Sequence, residues 1–198
     1  MVKPRDGSNT AERILDVAEE LVQTRGFNAF SYADVAEVMN VTKASLHYHF
    51  STKAVLGAEL ISRYSTRFMA ALALLESRHT SALTRLEAYT ELYATVLDTG
   101  RMCMCGMLAA DILTLPGPMA AGVRAFFAAN EAWLAHQLEA GAAQNDLRLT
   151  APARELAQAL IAGLEGAMLL SRMSQDAAQF RRIARQLVTR FVVDPIDA

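Results

Sequence analysis

The chain has few of the residues that mark secreted, disulfide-linked or membrane-spanning proteins. Its 198 residues include two cysteines, five prolines and one tryptophan. Two cysteines at positions 103 and 105 cannot build a disulfide framework. No apolar stretch reaches the roughly 18 residues that a membrane span needs. The first ten residues, MVKPRDGSNT, lack the apolar segment of a secretory signal. Together these absences indicate a cytoplasmic protein without a membrane partner.

The chain also has no excess of positive charge. Its formal net charge is −2 and its pI is about 6.1. Residues 1–53 carry six basic and seven acidic side chains, a net charge of −1. Composition therefore provides no global electrostatic attraction to nucleic acid. Any binding to DNA has to depend on where individual charges lie.

The abundant hydrophobic residues, which make up 53% of the chain, recur with a helical period. Alternating strand patterns, internal repeats and low-complexity segments are missing. We therefore predict an all-α protein of about nine helices. Their approximate ranges are 9–25, 31–40, 42–49, 51–78, 81–98, 101–115, 119–142, 152–173 and 176–193.

Several helix ends have recognisable signals. Asn9 with Glu12, and Ser31 with Asp34, have the spacing of capping boxes at the starts of the first two helices. Gly26 predicts a left-handed cap at the end of the first helix. At the starts of the third and fourth helices, we expect the caps to be Thr42 and Ser51.

The stretch VTKASLHYHF, residues 41–50, is unusually polar for so apolar a chain. It follows the turn MNVTK, in which Asn40 tolerates a positive φ. Helices joined by so short a turn cross at a steep angle. Leu46 and Phe50, four residues apart, are expected to anchor one face, with Ala44 allowing close approach. The polar side chains are then displayed on the opposite face.

Residues 9–53 resemble the DNA-binding domain of TetR-family transcriptional regulators. The resemblance lies in the Gly26–Phe27 turn, the segment VTK at 41–43 and LHYHFSTK at 46–53. Asn40 stands where Gly is commoner in the family, and His47 stands where Tyr is usual. The resemblance implies a helix-turn-helix DNA-binding domain at 1–53, followed by an effector-binding and dimerisation domain at 54–198.

The family's docking geometry implies that Lys43 and Ala44, at the start of the recognition helix, read base edges in the major groove. The remaining polar residues are expected to hold phosphates or flank bases. Alternatives remain open: Tyr48 packs beneath Phe50, His49 makes a structural hydrogen bond, or Lys53 is a solvated charge. The expected DNA-contacting residues are Ser31, Tyr32, Thr42, Lys43, Ala44, Ser45, His47, Tyr48, His49 and Lys53.

The segment RMCMCGMLAADILTLPGPMAAGVRAFFAANEAWL at 101–134 resembles one branch of the family that includes sensors of reactive electrophiles. Cys103 and Cys105 lie at an expected helix start beside Arg101, and both features favour a thiolate. Alternatively, both cysteines are small buried hydrophobic residues. Two sulfurs without a third ligand do not form a metal site, and no cofactor is expected.

The resemblance implies that a small effector binds in the C-terminal helical bundle. Methionines and aromatic rings there suit a small hydrophobic ligand. Asp111 and Glu165 fall within apolar helices, where each is either paired with an arginine or faces the pocket. The expected ligand-binding residues are Tyr89, Tyr93, Met102, Cys103, Cys105, Met107, Asp111, Phe126, Asn130 and Trp133.

The last two helices are expected to form a homodimer interface. One expected stripe is Leu156, Leu160, Leu164 and Met168, and the other is Phe180, Ile183, Leu187 and Phe191. The function implied is that of a homodimeric repressor, not an enzyme. It binds a pseudo-palindromic DNA operator and is released by a small hydrophobic or electrophilic effector. The alternative is a thiol-based redox protein acting through Cys103 and Cys105.

Overall fold

The computed structural model describes residues 7–192, with side chains described from residue 10 onward. Within this range the regular structure is helical and contains no strand, which confirms the predicted all-α class. A 3-10 turn, Phe27–Ala29, follows the first helix. The nine α-helices of this range are α1 Gly7–Arg25, α2 Tyr32–Met39, α3 Lys43–His49, α4 Lys53–Arg78, α5 Ala82–Asp98, α6 Met104–Ala110, α7 Gly117–Ala143, α8 Ala153–Ser174 and α9 Ala177–Thr189.

The helix starts agree with two of the four capping signals. Ser31 and Asp34 form a reciprocal capping box at α2, and the Thr42 side chain accepts from the Ser45 N–H at α3. Helix α1 begins two residues before Asn9, so its backbone lies inside the helix and Asn9 is not the cap; its side chain lies outside the described residues. At α4 the Val55 N–H donates to the hydroxyl of Thr52 rather than of Ser51.

Two turn residues show how the chain leaves a helix. Asn40 has φ 52° and ψ 51°, the left-handed conformation predicted for it. Gly26 has a positive φ of 90° but a ψ of 158°, so it is not the left-handed helical cap we predicted. This conformation is open mainly to glycine, and it redirects the chain into the 3-10 turn.

Helix α6 is shorter than the apolar run that predicted it. It covers Met104–Ala110, and i to i−3 turns follow, such as that from the Thr114 N–H to the Asp111 carbonyl at 2.8 Å. Cys103 therefore precedes the helix, while Cys105 is its second residue. At the other end of the chain, the predicted limit of α9 at residue 193 lies outside the described residues.

The described chain divides into two compact units. One contains the described residues up to Ser65 together with Met104–Arg124. The other contains Thr66–Cys103 and the described residues from Ala125 onward. Helices α4 and α7 each contribute residues to both units. The boundary predicted at residues 53 and 54 marks the end of the three-helix motif, whereas the first compact unit also takes in α6.

The first unit is held together around α1. Helix α2 packs against α1 and α3, and α6 also packs against α1. The apolar stripe expected on α1 is buried, with Ile14 and Ala18 fully enclosed. Gly57 allows α4 to approach the start of α7, because a Cβ at this position lies only 2.5 Å from the Met119 side chain. The first unit is therefore larger than a bare helix-turn-helix.

An arginine on α4 ties this helix to α1. The Arg63 guanidinium donates to Asp16 at 2.8 Å, to Glu19 at 2.9 Å and to Glu12 at 3.0 Å. The Arg63 and Glu19 side chains are 14% and 11% exposed. One guanidinium nitrogen, Nε, is buried without a hydrogen bond. Because the carboxylates surround it, the pKa of Arg63 rises although burial acts in the opposite direction.

The second unit is built on α5, α8 and α9, which pack against one another. Gly163 brings α8 close to α9, since a Cβ there meets Leu187 at 2.7 Å. This packing overturns the expected dimer stripes. Most of their residues are buried within their own unit, and Leu156, Ile183 and Leu187 are half-buried. The buried members are Leu160, Leu164, Met168, Phe180 and Phe191.

Removing the Arg63 charge tests the role of this network. We expect Arg63→Met to lower the free energy of unfolding by about 2–3 kcal/mol, because the buried Glu19 carboxylate then loses its ion pair with Arg63. Urea denaturation measures this loss. Arg182→Met is the matched control, since Arg182 pairs with Asp176 at the surface, with side chains 64% and 42% exposed. That substitution should change stability by less than about 0.5 kcal/mol, and equal effects would contradict the prediction.

Candidate nucleic-acid interface and buried polar cluster

A tight turn connects α2 to α3. The N–H groups of Asn40 and Val41 both donate to the Ala36 carbonyl, the second at 3.0 Å. The Thr42 hydroxyl then accepts from the Ser45 N–H at 3.3 Å and begins α3. Because every step of the turn is closed by a hydrogen bond, the direction of α3 is set by local geometry.

Helix α3 has the two-sided character that its sequence predicted. Leu46 is fully buried and Phe50, just after the helix, is 7% exposed. Tyr48 is 86% exposed, so it does not pack beneath Phe50. Ala44 is exposed too, so it serves no close packing contact. The exposed residues of this segment are Thr42, Lys43, Ala44, His47 and Tyr48, while Ser45 and His49 are half-buried.

Tyr32 points its hydroxyl into the protein. It is 8% exposed and donates to the Phe50 carbonyl at 2.8 Å, while burial raises its pKa to about 12. Its ring lies 4.7 Å from the ring of His47. The structural hydrogen bond at this helix end is made by His47, whose Nδ1 lies 3.1 Å from the Ser51 carbonyl. With a proton on Nδ1, the other ring nitrogen donates to a phosphate only when the ring is positively charged.

The start of α2 uses its donors internally. The Ser31 N–H donates to Asp34 at 2.7 Å, and the Ala33 N–H donates to the Ser31 hydroxyl at 3.2 Å. The Ser31 hydroxyl in turn donates to Asp34, which lowers the pKa of that carboxyl. A carboxylate therefore already occupies the position that the sequence suggested for a phosphate.

Lys53 also turns inward. Its ammonium donates to the carbonyls of Phe27 and Phe30 and lies 4.3 Å from the centroid of each phenyl ring. Burial lowers the pKa of Lys53, an effect that the charges of Asp34 and Asp111 oppose. The lysine is thus not a freely solvated charge: its ammonium holds the 3-10 turn to the start of α4.

A closed polar network lies inside the second unit. The hydroxyls of Tyr89 and Tyr93 are 3.0 Å apart. The Tyr89 hydroxyl donates to the Asn130 oxygen at 3.0 Å, and the Asn130 amide donates to the Tyr93 hydroxyl at 3.2 Å. All three residues are buried, and burial raises the pKa of both tyrosines. They therefore remain neutral and rigidly held at physiological pH.

Aromatic rings surround this network. The Trp133 ring stacks on Tyr89 at 5.6 Å. Phe68 contacts Tyr89, Tyr93 and Phe126 through ring edges. The Trp133 indole N–H donates to Glu76 at 2.6 Å. The structure thus brings together five of the ten residues predicted for ligand binding and adds Phe68, which the sequence analysis did not select.

Cys103 and Glu165 form a second polar contact in this unit. The thiol donates a hydrogen bond to the Glu165 carboxylate. Burial raises the pKa of Glu165 to about 7, while the hydrogen bond from Cys103 acts to lower it. Cys103 and Glu165 also act electrostatically to raise the pKa of Tyr89 and Tyr93, an effect that adds to that of burial. Glu165 was missing from the predicted ligand set, although its place in an apolar helix was the signal available. Met102 is also buried in this unit.

Three predicted ligand residues belong to the other unit instead. Cys105 is buried in α6. Met107 and Asp111 lie beside Gly26, with atoms 3.7 and 3.9 Å from where its Cβ would be. Asp111 also acts electrostatically on Lys53. Residues of the apolar run 101–115 therefore lie in both compact units, a division that the sequence pattern did not reveal.

Comparison with known proteins now assigns this architecture. Residues 14–60 match the model for bacterial regulatory proteins of the tetR family. Residues 82–187, more than half of the chain, match the tetracyclin repressor-like C-terminal domain. The chain belongs to the TetR family.

Solved structures of TetR-family regulators support the same assignment over nearly the whole chain. A regulator from Agrobacterium tumefaciens is 36% identical with a TM-score of 0.92, and the match covers 95% of this chain and 100% of that one. A TetR regulator from Legionella pneumophila is 31% identical with a TM-score of 0.84, and it covers 92% and 97%. This TetR-family chain is therefore a transcriptional regulator with a helix-turn-helix domain and a C-terminal ligand-binding domain, and not an enzyme.

A curated relative matches over a shorter stretch of the chain. The HTH-type transcriptional regulator QacR of Staphylococcus aureus is 35% identical over 54 residues. The match spans 27% of this chain and 29% of QacR.

Residues 7–192 of this TetR-family protein contain neither a membrane-spanning helix nor a metal-binding cluster. No helix in this range is long and apolar enough to cross a membrane. Nor do three or more His, Cys, Asp or Glu side chains of these residues gather in a group that could hold a metal ion.

The inward position of Lys53 leads to a test. We expect Lys53→Met to lower the free energy of unfolding by about 1–3 kcal/mol, because two carbonyls and two rings lose their cation. The salt dependence of DNA binding should stay unchanged, since no phosphate contact is removed. Urea denaturation and a salt titration of binding measure the two effects. A slope reduced by about one counterion per protomer would instead assign Lys53 to a phosphate.

Proposed function

We propose that the protein is a homodimeric repressor that acts in the cytoplasm. It binds a pseudo-palindromic operator through α3 and is released by a small hydrophobic or electrophilic effector. The observation that carries this proposal is the exposed polar face of α3, whose opposite face is anchored by the buried side chains of Leu46 and Phe50. Five exposed residues of this segment, Thr42, Lys43, Ala44, His47 and Tyr48, are hydrogen-bonding or small. The major groove of DNA admits a helix that presents such a face.

Base reading falls to the first residues of α3. Lys43 and Ala44 are exposed at the start of the helix, where recognition helices contact base edges. A lysine suits guanine acceptors, and an alanine methyl suits the methyl group of thymine. Thr42, Ser45, His47, Tyr48 and His49 flank these two residues on the same element. In this proposal they contact phosphates and neighbouring bases.

Three of the residues predicted to contact DNA use their polar groups within the protein instead. Tyr32 and Lys53 use their polar atoms within the protein, and the α2 start beside Ser31 already holds the Asp34 carboxylate. We therefore assign Tyr32, Ser31 and Lys53 to positioning α2 and α3 rather than to direct contact with DNA. Electrostatic attraction then depends strongly on Lys43.

The proposed dimer interface is the exposed face of α8. Leu169 and Met173 are 60% and 78% exposed, and Leu170 is exposed as well. Gly166 has nothing within 4 Å of its Cβ position, so a partner helix can approach closely. These residues recur at helical spacing and form one apolar stripe, which a two-fold related copy would cover.

The effector is proposed to act on the second unit, where the buried polar and aromatic residues meet. Tyr89, Tyr93, Asn130 and Trp133 supply flat apolar walls with a few polar atoms, as small-molecule sites do. The thiol of Cys103 adds a nucleophile to this environment.

A gel shift on the DNA flanking the gene tests the operator proposal. We expect Lys43→Ala to weaken operator binding by roughly tenfold or more per half-site, because a base contact and a cation are both lost. Circular dichroism should show unchanged helical content, since Lys43 is exposed.

Lys43→Arg is the matched control for this variant. It keeps the charge, so we expect the salt dependence of binding to persist while the preference among operator sequences changes. If Lys43→Ala binds the operator as tightly as the parent protein, α3 does not read bases through this residue.

Sedimentation tests the proposed dimer interface. We expect Leu169→Glu to shift the protein from dimer towards monomer, because it places a charge in the centre of the apolar stripe. Leu113→Glu is the matched control: Leu113 is 96% exposed in the turn after α6, outside the stripe. A variant at Leu169 that remains as dimeric as the Leu113 variant would rule out this face.

A further inference from the structure

Cys103 occupies a distinctive position in the chain. It ends the extended segment after Gly100 and is the last residue before α6. It is 2% exposed, yet its thiol is not surrounded only by apolar atoms, because it donates to the Glu165 carboxylate. A buried thiol bonded to a carboxylate differs from a cysteine that merely fills space.

Glu165 is the less satisfied partner in this pair. Its Oε1 is buried, exposing less than 1 Å², and has no hydrogen-bond partner among the described residues. A buried acceptor without a partner costs about 1–3 kcal/mol, so its presence calls for an explanation. Burial also raises the pKa of this carboxyl to about 7, so it accepts and returns a proton readily near neutral pH.

The neighbouring tyrosines do not compete with Glu165 as proton acceptors. Tyr89 and Tyr93 interact electrostatically with the pair, and burial keeps both neutral. Their hydroxyls and the Asn130 amide bond to one another. This network is thus closed on itself. The Glu165 carboxylate is the base that the Cys103 thiol contacts.

We propose that Glu165 is the proton acceptor that activates Cys103 toward small uncharged electrophiles of the α,β-unsaturated carbonyl class. This inference rests on the proposed effector-responsive function and narrows its effector class. A free thiolate beside a carboxylate is disfavoured by like-charge repulsion. Transfer of the thiol proton to Glu165 during attack avoids that repulsion, because only one negative charge is present throughout.

The addition balances without an oxidant. The sulfur forms a bond to the β-carbon, the carbon–carbon π bond breaks, and its electron pair moves toward the carbonyl oxygen. The thiol proton passes to the Glu165 carboxylate. The resulting enolate then takes a proton at its α-carbon from the same carboxyl, leaving a thioether and a regenerated base. Because Cys103 is buried, a short enal is the appropriate probe of this chemistry.

An adduct on Cys103 would change the packing at the start of α6. It enlarges a packed side chain directly before Met104, the first residue of α6, and α6 packs against α1 in the DNA-binding unit. Adding several heavy atoms to a packed site forces the neighbouring backbone or side chains to shift. Modification of Cys103 therefore strains the segment that leads into α6.

Acrolein is the probe for the test, with Cys105→Ser as the common background so that Cys103 is the single thiol. Mass spectrometry follows the rate of adduct formation across pH. We expect Glu165→Gln to slow the reaction about tenfold or more near neutral pH. The remaining rate should follow thiolate formation and rise at higher pH. Glu165→Asp should restore part of the rate, since it keeps a carboxylate.

Two controls separate the proposal from simpler explanations. Glu131→Gln changes another carboxylate of the same unit, which pairs with Arg154, and should leave the rate unchanged. Thermal melting should show that Glu165→Gln is no less stable than its background, since it removes a buried, incompletely bonded carboxyl. A Glu165→Gln protein that reacts as fast as its background, or faster, would overturn the proposal, because the carboxylate would then only repel the thiolate.

Operator binding is read in a separate gel shift. The Glu165→Gln protein should bind the operator like the parent in the absence of acrolein and resist release at acrolein concentrations that release the parent. If no form of the protein binds DNA, the proposed function fails while the adduct kinetics still decide the role of Glu165. If adducts form through Glu165 without releasing DNA, the link to the effector class is overturned.

Discussion

The geometry of the DNA-binding end depends on how a seven-residue helix is held in place. A helix as short as α3 is not stable on its own in water. Leu46 and Phe50 bury its inner face, and the Tyr32 hydroxyl donates to the Phe50 carbonyl where the helix ends. The hydrogen-bonded turn at Asn40 orients its beginning. Rigidity at both ends allows the outer face to consist almost entirely of polar and small residues.

The same unit uses its cations mainly to hold itself together. Arg63 joins α4 to three carboxylates of α1, and Lys53 holds two carbonyls and two aromatic rings. These internal roles explain how a domain without net positive charge is compatible with DNA binding. Affinity must come from a few outward groups in a fixed arrangement and not from a basic surface.

The second unit contains two polar arrangements of opposite character. Tyr89, Tyr93 and Asn130 satisfy one another, and such closed networks stabilise a particular packing. The pair of Cys103 and Glu165 is incomplete, because one carboxyl oxygen lacks a partner. An unsatisfied carboxyl beside a thiol has capacity for chemistry that the closed network lacks. Reactivity in this unit is therefore concentrated at one residue pair, directly before α6.

Local signals in the sequence determined the helical class, most helix starts and the two-sided character of α3. The Ser31 and Thr42 caps, the positive φ of Asn40 and the burial of Leu46 and Phe50 follow from residue type and spacing, since each depends on neighbours within a few positions. The tertiary structure decided where long side chains point. Lys53 turns inward because its ammonium donates to two carbonyls at the 3-10 turn. Cys103 forms a hydrogen bond with Glu165, more than sixty residues further along the chain. The run 101–115 divides between two units, and the apolar stripes of α8 and α9 are buried in their own unit. These outcomes depend on contacts between residues far apart in the chain, which no periodicity within a helix records.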